Sequence, residues 1–404
     1  MLKILVLTST FPRWKNDTTP SFVYQLSKRL AQKNEVHILA PSAPNALSKD
    51  RWDNLTIIRF KYFFNNLQSL AYNGGISENI KKSPANILLI PFFLISQLIA
   101  LIRILRKNEF DIVHAHWVIP QGLIAIIALA FLKKQPKLIC TSHGADLFSF
   151  NNIIANSIKK YVLKHSDKMT FVSKALEEKA RQYTTDIPNS SIIPMGVDLL
   201  NKFIPSNDAR IPNKILFVGR LVEKKGVKYL IKSLPTLLIK HPNITLDIIG
   251  TGPNIIKLKQ LVTQLNLNST VEFLGAIENN KLPEYYQKSS IAVFPSIIAR
   301  NGDQEGFGLV PVEASGCECP IIATNLPALK EHLIHLKTAY IVKQKSSESI
   351  SNAIEMLLTN KDLTKSIVET ARAHMLLNYD WSTITDNYQE QYESLVQVTT
   401  KNSN

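Results

Sequence analysis

The stretch Lys214-Ile-Leu-Phe-Val218-Gly219-Arg220-Leu-Val-Glu-Lys-Lys225-Gly226-Val-Lys-Tyr-Leu230 decides the fold. Its opening run is almost wholly apolar rather than alternating, the pattern of a parallel strand covered on both faces. A glycine ends it, two cations follow, and then Val227, Leu230, Ile231, Leu234 and Leu238 recur at helical spacing on one face. Pro235 lies inside that helix and is expected to kink it or shift its start. Strand, glycine turn and amphipathic helix make one βα unit.

The same alternation runs outward in both directions. Towards the N-terminus, strands are expected at Lys3–Leu7, Val36–Ala40, Phe110–His114, Lys137–Thr141, Lys168–Val172 and Ser191–Pro194. Towards the C-terminus they are expected at Thr245–Ile249, Thr270–Phe273, Ile291–Phe294, Pro320–Ala323 and Ala339–Val342. Alternating β and α elements imply doubly wound parallel sheets, an α/β fold. The strands are too many for one sheet, and the pattern resets over Asn201–Asn213, a polar, proline-containing linker. The reading is two Rossmann-like domains, 1–200 and 201–380, facing across a cleft, with ligands beyond the carboxyl ends of the strands. The tail Thr399–Asn404 is polar and carries no period.

Bulk properties narrow the class. The 404 residues are 45% hydrophobic and 20% charged, ordinary for a globular chain. A net charge of +15 favours anionic partners without choosing among them. Cys140, Cys317 and Cys319 form neither a disulfide framework nor a zinc spacing, so a reducing compartment and no metal site are expected. The short apolar run Met1–Leu7 reads as a buried strand rather than a signal segment, which favours a cytoplasmic protein. The uncharged run Ile87–Ile102 is shorter than the ~20 residues of a spanning helix and holds Pro91, Ser96 and Gln97. A buried core helix is the favoured reading; a helix on a membrane surface, its basic flanks meeting anionic lipid, is the second.

Several stretches bear chemistry. In Glu305-Gly306-Phe307-Gly308-Leu309-Val310-Pro-Val-Glu313, glycines before a helix start let backbone N–H groups approach an anion, and the carboxylates suit sugar hydroxyls. The bland alternative is a loop with a capping Glu. Arg220 and Lys225, after Gly219, suit a diphosphate; they are otherwise surface charge. His143 follows a strand, with Asp146 placed either to orient it or to cap the next helix. His114 and His116 follow another strand, and metal binding by the three is given little weight because no carboxylate or cysteine spacing accompanies them. Thr19 with Pro20 reads as a helix start, and Gly250 and Gly252 as a turn passing close under a flat base.

Taken together these residues resemble the family 4 glycosyltransferases of the GT-B fold over nearly the whole chain. The likeness rests on Thr8-Ser-Thr-Phe-Pro12, Asp111-Ile-Val-His-Ala-His116, Ser142-His-Gly-Ala-Asp146, Pro194-Met-Gly-Val-Asp198, Val218-Gly-Arg220 with Lys225, and Glu305-Gly-Phe-Gly308 with Glu313. It implies an acceptor-side domain over 1–200, completed by a helix at about 381–398, and a nucleotide-sugar-binding domain over 201–380. It implies a retaining hexosyltransferase acting by same-face attack, without active-site metal or cofactor. The donor would be a nucleotide-diphosphate sugar and the acceptor a glycan or lipid-linked glycan of cell-surface polysaccharide or glycolipid synthesis. At matching positions, Arg220 and Lys225 would hold the diphosphate, and His143 would lie against the donor sugar. Glu305 would contact that sugar, Glu313 the ribose hydroxyls, and backbone donors over Phe307–Val310 the phosphate.

The chain departs from the family pattern twice. Thr18–Ser21 stands where many members have a Gly-Gly pair, and Glu318 where glycine is usual. If that second position needs positive φ, Glu318 is strained; Gly316 is the alternative turn residue. A non-catalytic nucleotide-sugar-binding or membrane-assembly protein on the same fold is the competing reading. A Rossmann oxidoreductase is set aside because the first strand leads into Thr-Ser-Thr-Phe-Pro rather than Gly-x-Gly-x-x-Gly. Nucleic-acid binding would rest on charge alone.

Overall fold

The computed structural model describes all residues except 16, 18, 20, 73, 74, 150, 151 and 402–404, and the side chains of 65, 77, 78, 81 and 398–401 are likewise not described. Thr18, Pro20 and the end of the polar tail therefore lie outside the described residues. The chain divides into two compact units, Met1–Ile193 with Thr385–Asn404, and Pro194–Ile384.

The first unit holds β1 (Lys3–Leu7), β2 (Glu35–Pro41), β3 (Lys49–Trp52), β4 (Leu55–Phe60), β5 (Ile112–His116), β6 (Lys137–Ser142), β7 (Lys168–Phe171) and β8 (Ser190–Ile192). They form one sheet in the order β3-β4-β2-β1-β5-β6-β7-β8. All pairs are parallel except β3 with β4. Ile4, Leu5, Val6 and Leu7 are at most 1% exposed, as a central strand covered on both faces requires. Because β1 lies between β2 and β5, the winding reverses there, and ligand sites of this architecture gather beyond the carboxyl ends at such a point.

The β3–β4 hairpin is unanticipated. Its turn is Asp53-Asn54, both at positive φ (51° and 63°), which is the geometry of a two-residue hairpin. The first helix, Phe22–Leu30, buries Val23, Leu26 and Leu30 as its spacing predicts, but its start differs. Ser21, not Thr19, is the N-cap residue, and the Thr19 hydroxyl donates instead to Asp17 Oδ2 at 2.8 Å.

The favoured reading of Ile87–Ile102 as a buried core helix holds for one face only. The segment is a short 3₁₀ turn, Pro84–Leu88, running into the helix Leu89–Lys107. Phe93, Gln97, Leu101, Ile104 and Leu105 are buried, but Leu88, Phe92, Ile95 and Ile99 are exposed. One face of an apolar helix is covered and the other is not.

The second unit holds β9 (Ile211–Val218), β10 (Thr245–Ile249), β11 (Val271–Gly275), β12 (Ser289–Phe294), β13 (Ile321–Thr324) and β14 (Tyr340–Val342). Their order is β11-β10-β9-β12-β13-β14, parallel throughout, so the winding reverses between β9 and β12. The end of the stretch read as a linker is therefore the start of β9. The helix Val227–Lys240 runs through Pro235 and buries Val227, Leu230, Ile231 and Leu234 against β9 and β10 residues Ile215, Phe217, Leu246 and Ile248.

Glu318 does adopt positive φ, at 55°. The helix Leu309–Gly316 ends with Glu318 N–H on the Ser315 carbonyl at 3.0 Å and Cys319 N–H on the Ala314 carbonyl at 3.0 Å. This is a left-handed helix stop whose turn position normally takes glycine. Gly316 is not the turn residue; a Cβ there would come within 2.6 Å of Leu199 and 2.7 Å of the Phe203 carbonyl oxygen.

The last helix, Trp381–Lys401, begins in the second unit, and from Thr385 onward belongs to the first. There Tyr392 is fully buried and its hydroxyl meets His114 Nδ1 at 2.7 Å.

Candidate functional site

In the second unit the predicted donor-side residues converge on the carboxyl end of β9, beside the reversal point. Gly219 ends the strand, and its N–H bonds to the Ile249 carbonyl of β10 at 2.9 Å. Gly250 sits so close that a Cβ would come within 2.0 Å of the Gly219 carbonyl oxygen, and a Cβ on Gly252 would come within 2.5 Å of the Leu221 carbonyl oxygen. Both glycines are thus required to bring the β9 and β10 loops together, which accounts for the pair within the protein itself.

Arg220 is exposed at this end. Lys225 reaches Glu305 Oε1 at 3.2 Å, with side chains only 14% and 11% exposed. Burial raises the Glu305 carboxyl, but Lys225, Lys224 and Arg220 together outweigh it and hold the group below its ordinary range. Oε1 is buried without an aligned hydrogen bond among the described residues. A carboxylate kept charged, with an acceptor to spare, is ready to receive a hydroxyl. Lys224 is committed elsewhere, donating to Asp303 Oδ1 and the Gln304 carbonyl, each at 3.1 Å.

Gly306, Phe307 and Gly308 are buried just ahead of the helix Leu309–Gly316. Gly308 takes φ 86°, turning the chain so that the first-turn N–H groups of Leu309 and Val310 have no carbonyl of their own helix to bond. The Phe307 ring packs on His332 (4.8 Å between centroids) and Tyr379 (5.6 Å), so it props the turn from within. Glu313, in that helix, is 8% exposed. Burial raises its carboxyl, while Lys202 and a hydrogen bond from the Tyr286 hydroxyl at 3.3 Å pull it back. Lys202 also donates to Asn279 Oδ1. Tyr286 and Lys202 are the supports that sequence reading missed, Lys202 because it falls in the stretch read as linker. No motif marks either.

His143 belongs to the first unit, after β6, and its neighbours are not those expected. Asp146 does not orient it: the Asp146 carboxylate accepts from the Val118 N–H (2.8 Å), the Ser142 hydroxyl (3.0 Å) and the Gly144 N–H (3.0 Å), bracing the loop. The partner of His143 is His116, with Nε2 and Nδ1 2.9 Å apart and the rings stacked at 5.2 Å. Phe22 and Trp117 pack around it at 4.8 Å and 5.1 Å. Burial pushes the imidazoles of His143 and His114 down to about 3, and that of His116 well below its usual value, so all are neutral near neutrality. In a neutral pair one ring must donate and the other accept. If His116 donates, His143 carries its proton on Nδ1, an atom buried without a partner among the described residues. The Trp117 backbone is strained, at φ 80° and ψ 132°, a conformation that costs an ordinary side chain about 1–3 kcal/mol and that clusters at functional sites.

Two family models match the chain, Glycosyltransferase Family 4 over residues 20–200 and Glycosyl transferases group 1 over residues 202–374. An uncharacterised glycosyltransferase of Methanocaldococcus jannaschii is 30% identical over 299 residues, 72% of this chain and 78% of its own length. The GDP-mannose-dependent alpha-(1-6)-phosphatidylinositol monomannoside mannosyltransferase of Mycobacterium tuberculosis is 24% identical over 70% of this chain and 75% of its own. Among solved structures, sucrose-phosphate synthase from Thermosynechococcus elongatus superposes with a TM-score of 0.79 at 19% identity, covering 98% of this chain and 100% of that one. Anabaena HepE, in complex with UDP and glucose, gives 0.75 at 17% identity over 98% and 100%. With its two Rossmann-like sheets and the matching sequence models, the chain belongs to the family 4 glycosyltransferases of the GT-B fold.

Proposed function

We propose that this glycosyltransferase transfers a hexose-type sugar from a nucleotide-diphosphate donor, with retention of anomeric configuration and without metal. The observation that bears most weight is the Lys225–Glu305 pair beside Arg220, at the carboxyl end of β9 and next to the glycine-turned start of Leu309–Gly316. Arg220 and Lys225 hold the diphosphate and take up the charge of the departing nucleotide, the role a metal has elsewhere. Backbone N–H groups at Leu309 and Val310 add donors to the phosphate. Glu305 receives a hydroxyl of the donor sugar, and Glu313, steadied by Tyr286, the ribose hydroxyls. His143 lies against the sugar as a neutral donor, and the acceptor hydroxyl attacks from the face the diphosphate leaves.

The acceptor is a glycan or lipid-linked glycan of cell-surface polysaccharide or glycolipid synthesis. The enzyme works in the cytoplasm, peripherally on the inner face of the cytoplasmic membrane. Supporting the donor class, HepE was solved with UDP-glucose and the mycobacterial relative is named for GDP-mannose.

A thermal-shift series against UDP, GDP, ADP, CMP and their sugar conjugates, with and without EDTA, tests this directly. A ligand that binds only the folded state raises Tm with its affinity. One nucleotide family is expected to raise Tm equally with EDTA present. No shift from any nucleotide overturns the donor site, and a shift abolished by EDTA overturns metal independence.

A further inference from the structure

We infer that the outward face of the helix Leu89–Lys107 is a docking surface for an anionic lipid bilayer, with the helix lying in the plane of the interface. Leu88, Phe92, Ile95 and Ile99 recur at helical spacing and are 73%, 50%, 57% and 42% exposed. The Phe63 ring stands 5.2 Å from Phe92 and 5.2 Å from Phe64, which is itself 75% exposed, so the stripe broadens into a patch at its N-terminal end. A contiguous apolar surface of this kind needs a cover.

Charge chooses the cover. From Lys81 to Lys107 the chain has no acidic residue. Exposed Lys82 stands before the apolar stripe, and exposed Arg103, Arg106 and Lys107 follow it. Cations at both ends of an apolar stripe match an anionic headgroup layer over acyl chains. They would oppose one another if two copies met face to face on this helix.

Length alone would allow a crossing: Pro84–Lys107 spans 24 residues, and its most apolar 18-residue stretch has a mean hydropathy of 2.4. Packing forbids it. Phe93, Gln97 and Leu101 on the opposite face are at most 1% exposed, so a crossing helix would have to strip itself from the unit and uncover what it packs against. The helix therefore lies on the surface.

This deepens the peripheral placement proposed above, but it stands on the patch and not on the donor site. The full chain is sedimented with phosphatidylcholine vesicles and with vesicles containing phosphatidylglycerol, at low and high salt. The wild type is expected to pellet with the anionic vesicles at low salt and to be released by high salt and by alkaline carbonate. Phe92→Ser/Ile95→Ser is expected to lower partitioning by about tenfold or more. Arg106→Gln/Lys107→Gln is expected to lower it less, and only at low salt. All variants should keep the nucleotide-induced Tm shift, which separates failure of this surface from failure of the donor reading. Equal pelleting of the Phe92/Ile95 variant, no preference for anionic vesicles, resistance to carbonate, or a wild-type dimer that the variant dissolves would each overturn the inference.

Discussion

The two candidate regions solve different electrostatic problems. Around β9 the side chains are charged and offset one another: Lys225 holds Glu305 ionised against the cost of burial. Around β5 and β6 the polar groups are imidazoles that burial has stripped of charge, hydrogen-bonded to each other and to tyrosine and threonine. A site for a diphosphate needs permanent cations. A site against a sugar needs donors and acceptors that do not change with pH.

The largest test of that contrast is to remove charge from the first region. Arg220→Ala or Lys225→Ala should lower kcat by about 10²–10³-fold while the protein stays folded. A folded variant with transfer within threefold of wild type would break the assignment. Next, His143→Ala should cost roughly 10²-fold in rate yet leave the nucleotide-induced Tm shift intact. Because burial holds His143 at about 3, the wild-type pH–rate profile should show no limb near 6.5 from this residue. A limb there that vanishes in the variant would mean the imidazole does charge during turnover.

Stability sharpens the same point. Histidines of the unfolded chain take a proton near ~6.5, whereas folded His114, His143 and His332 do so only at about 3. Their contribution is fully present above ~6.5 and is lost progressively as pH falls towards 3. Melting temperatures at pH 7.5, 6.5, 5.5 and 4.5 should decline from the second value onward; a flat series would contradict neutral burial. The smallest expected effect is Glu318→Gly, which relieves a left-handed turn by about 1 kcal/mol and should raise Tm by about 2–4 °C. A fall in Tm would show that the Glu318 side chain does more than tolerate its backbone.

The legible and illegible parts of the sequence divide along physical lines. Strands buried on both faces announce themselves by unbroken apolar runs, and the βα turns by glycines, so the parallel strands and the Glu305–Glu313 loop were readable. The β3–β4 hairpin carries its own signal in Asp53-Asn54, overlooked because the run Lys49–Trp52 is polar. What lay hidden was pairing across distance. Nothing in Ser-His-Gly-Ala-Asp reveals that His143 turns to His116 and leaves Asp146 to the Ser142 hydroxyl and the loop backbone, or that Tyr286 supports Glu313 from another helix. The helix at Leu89–Lys107 misled for a different reason: composition reports apolarity, not whether a neighbour covers it.

The last helix has a consequence for how the protein is made. The first unit keeps buried places for Tyr388 and Tyr392, and His114 waits for the Tyr392 hydroxyl. Those residues leave the ribosome after the whole second unit, which at ~5–20 residues per second is a delay of roughly 10–40 seconds. Through that interval the sheet that emerges first must stand with an apolar slot open and with His114 held by Thr141 through Nε2 but lacking its partner at Nδ1. The unit synthesised second can close first, and the earlier one finishes only when its final strap arrives.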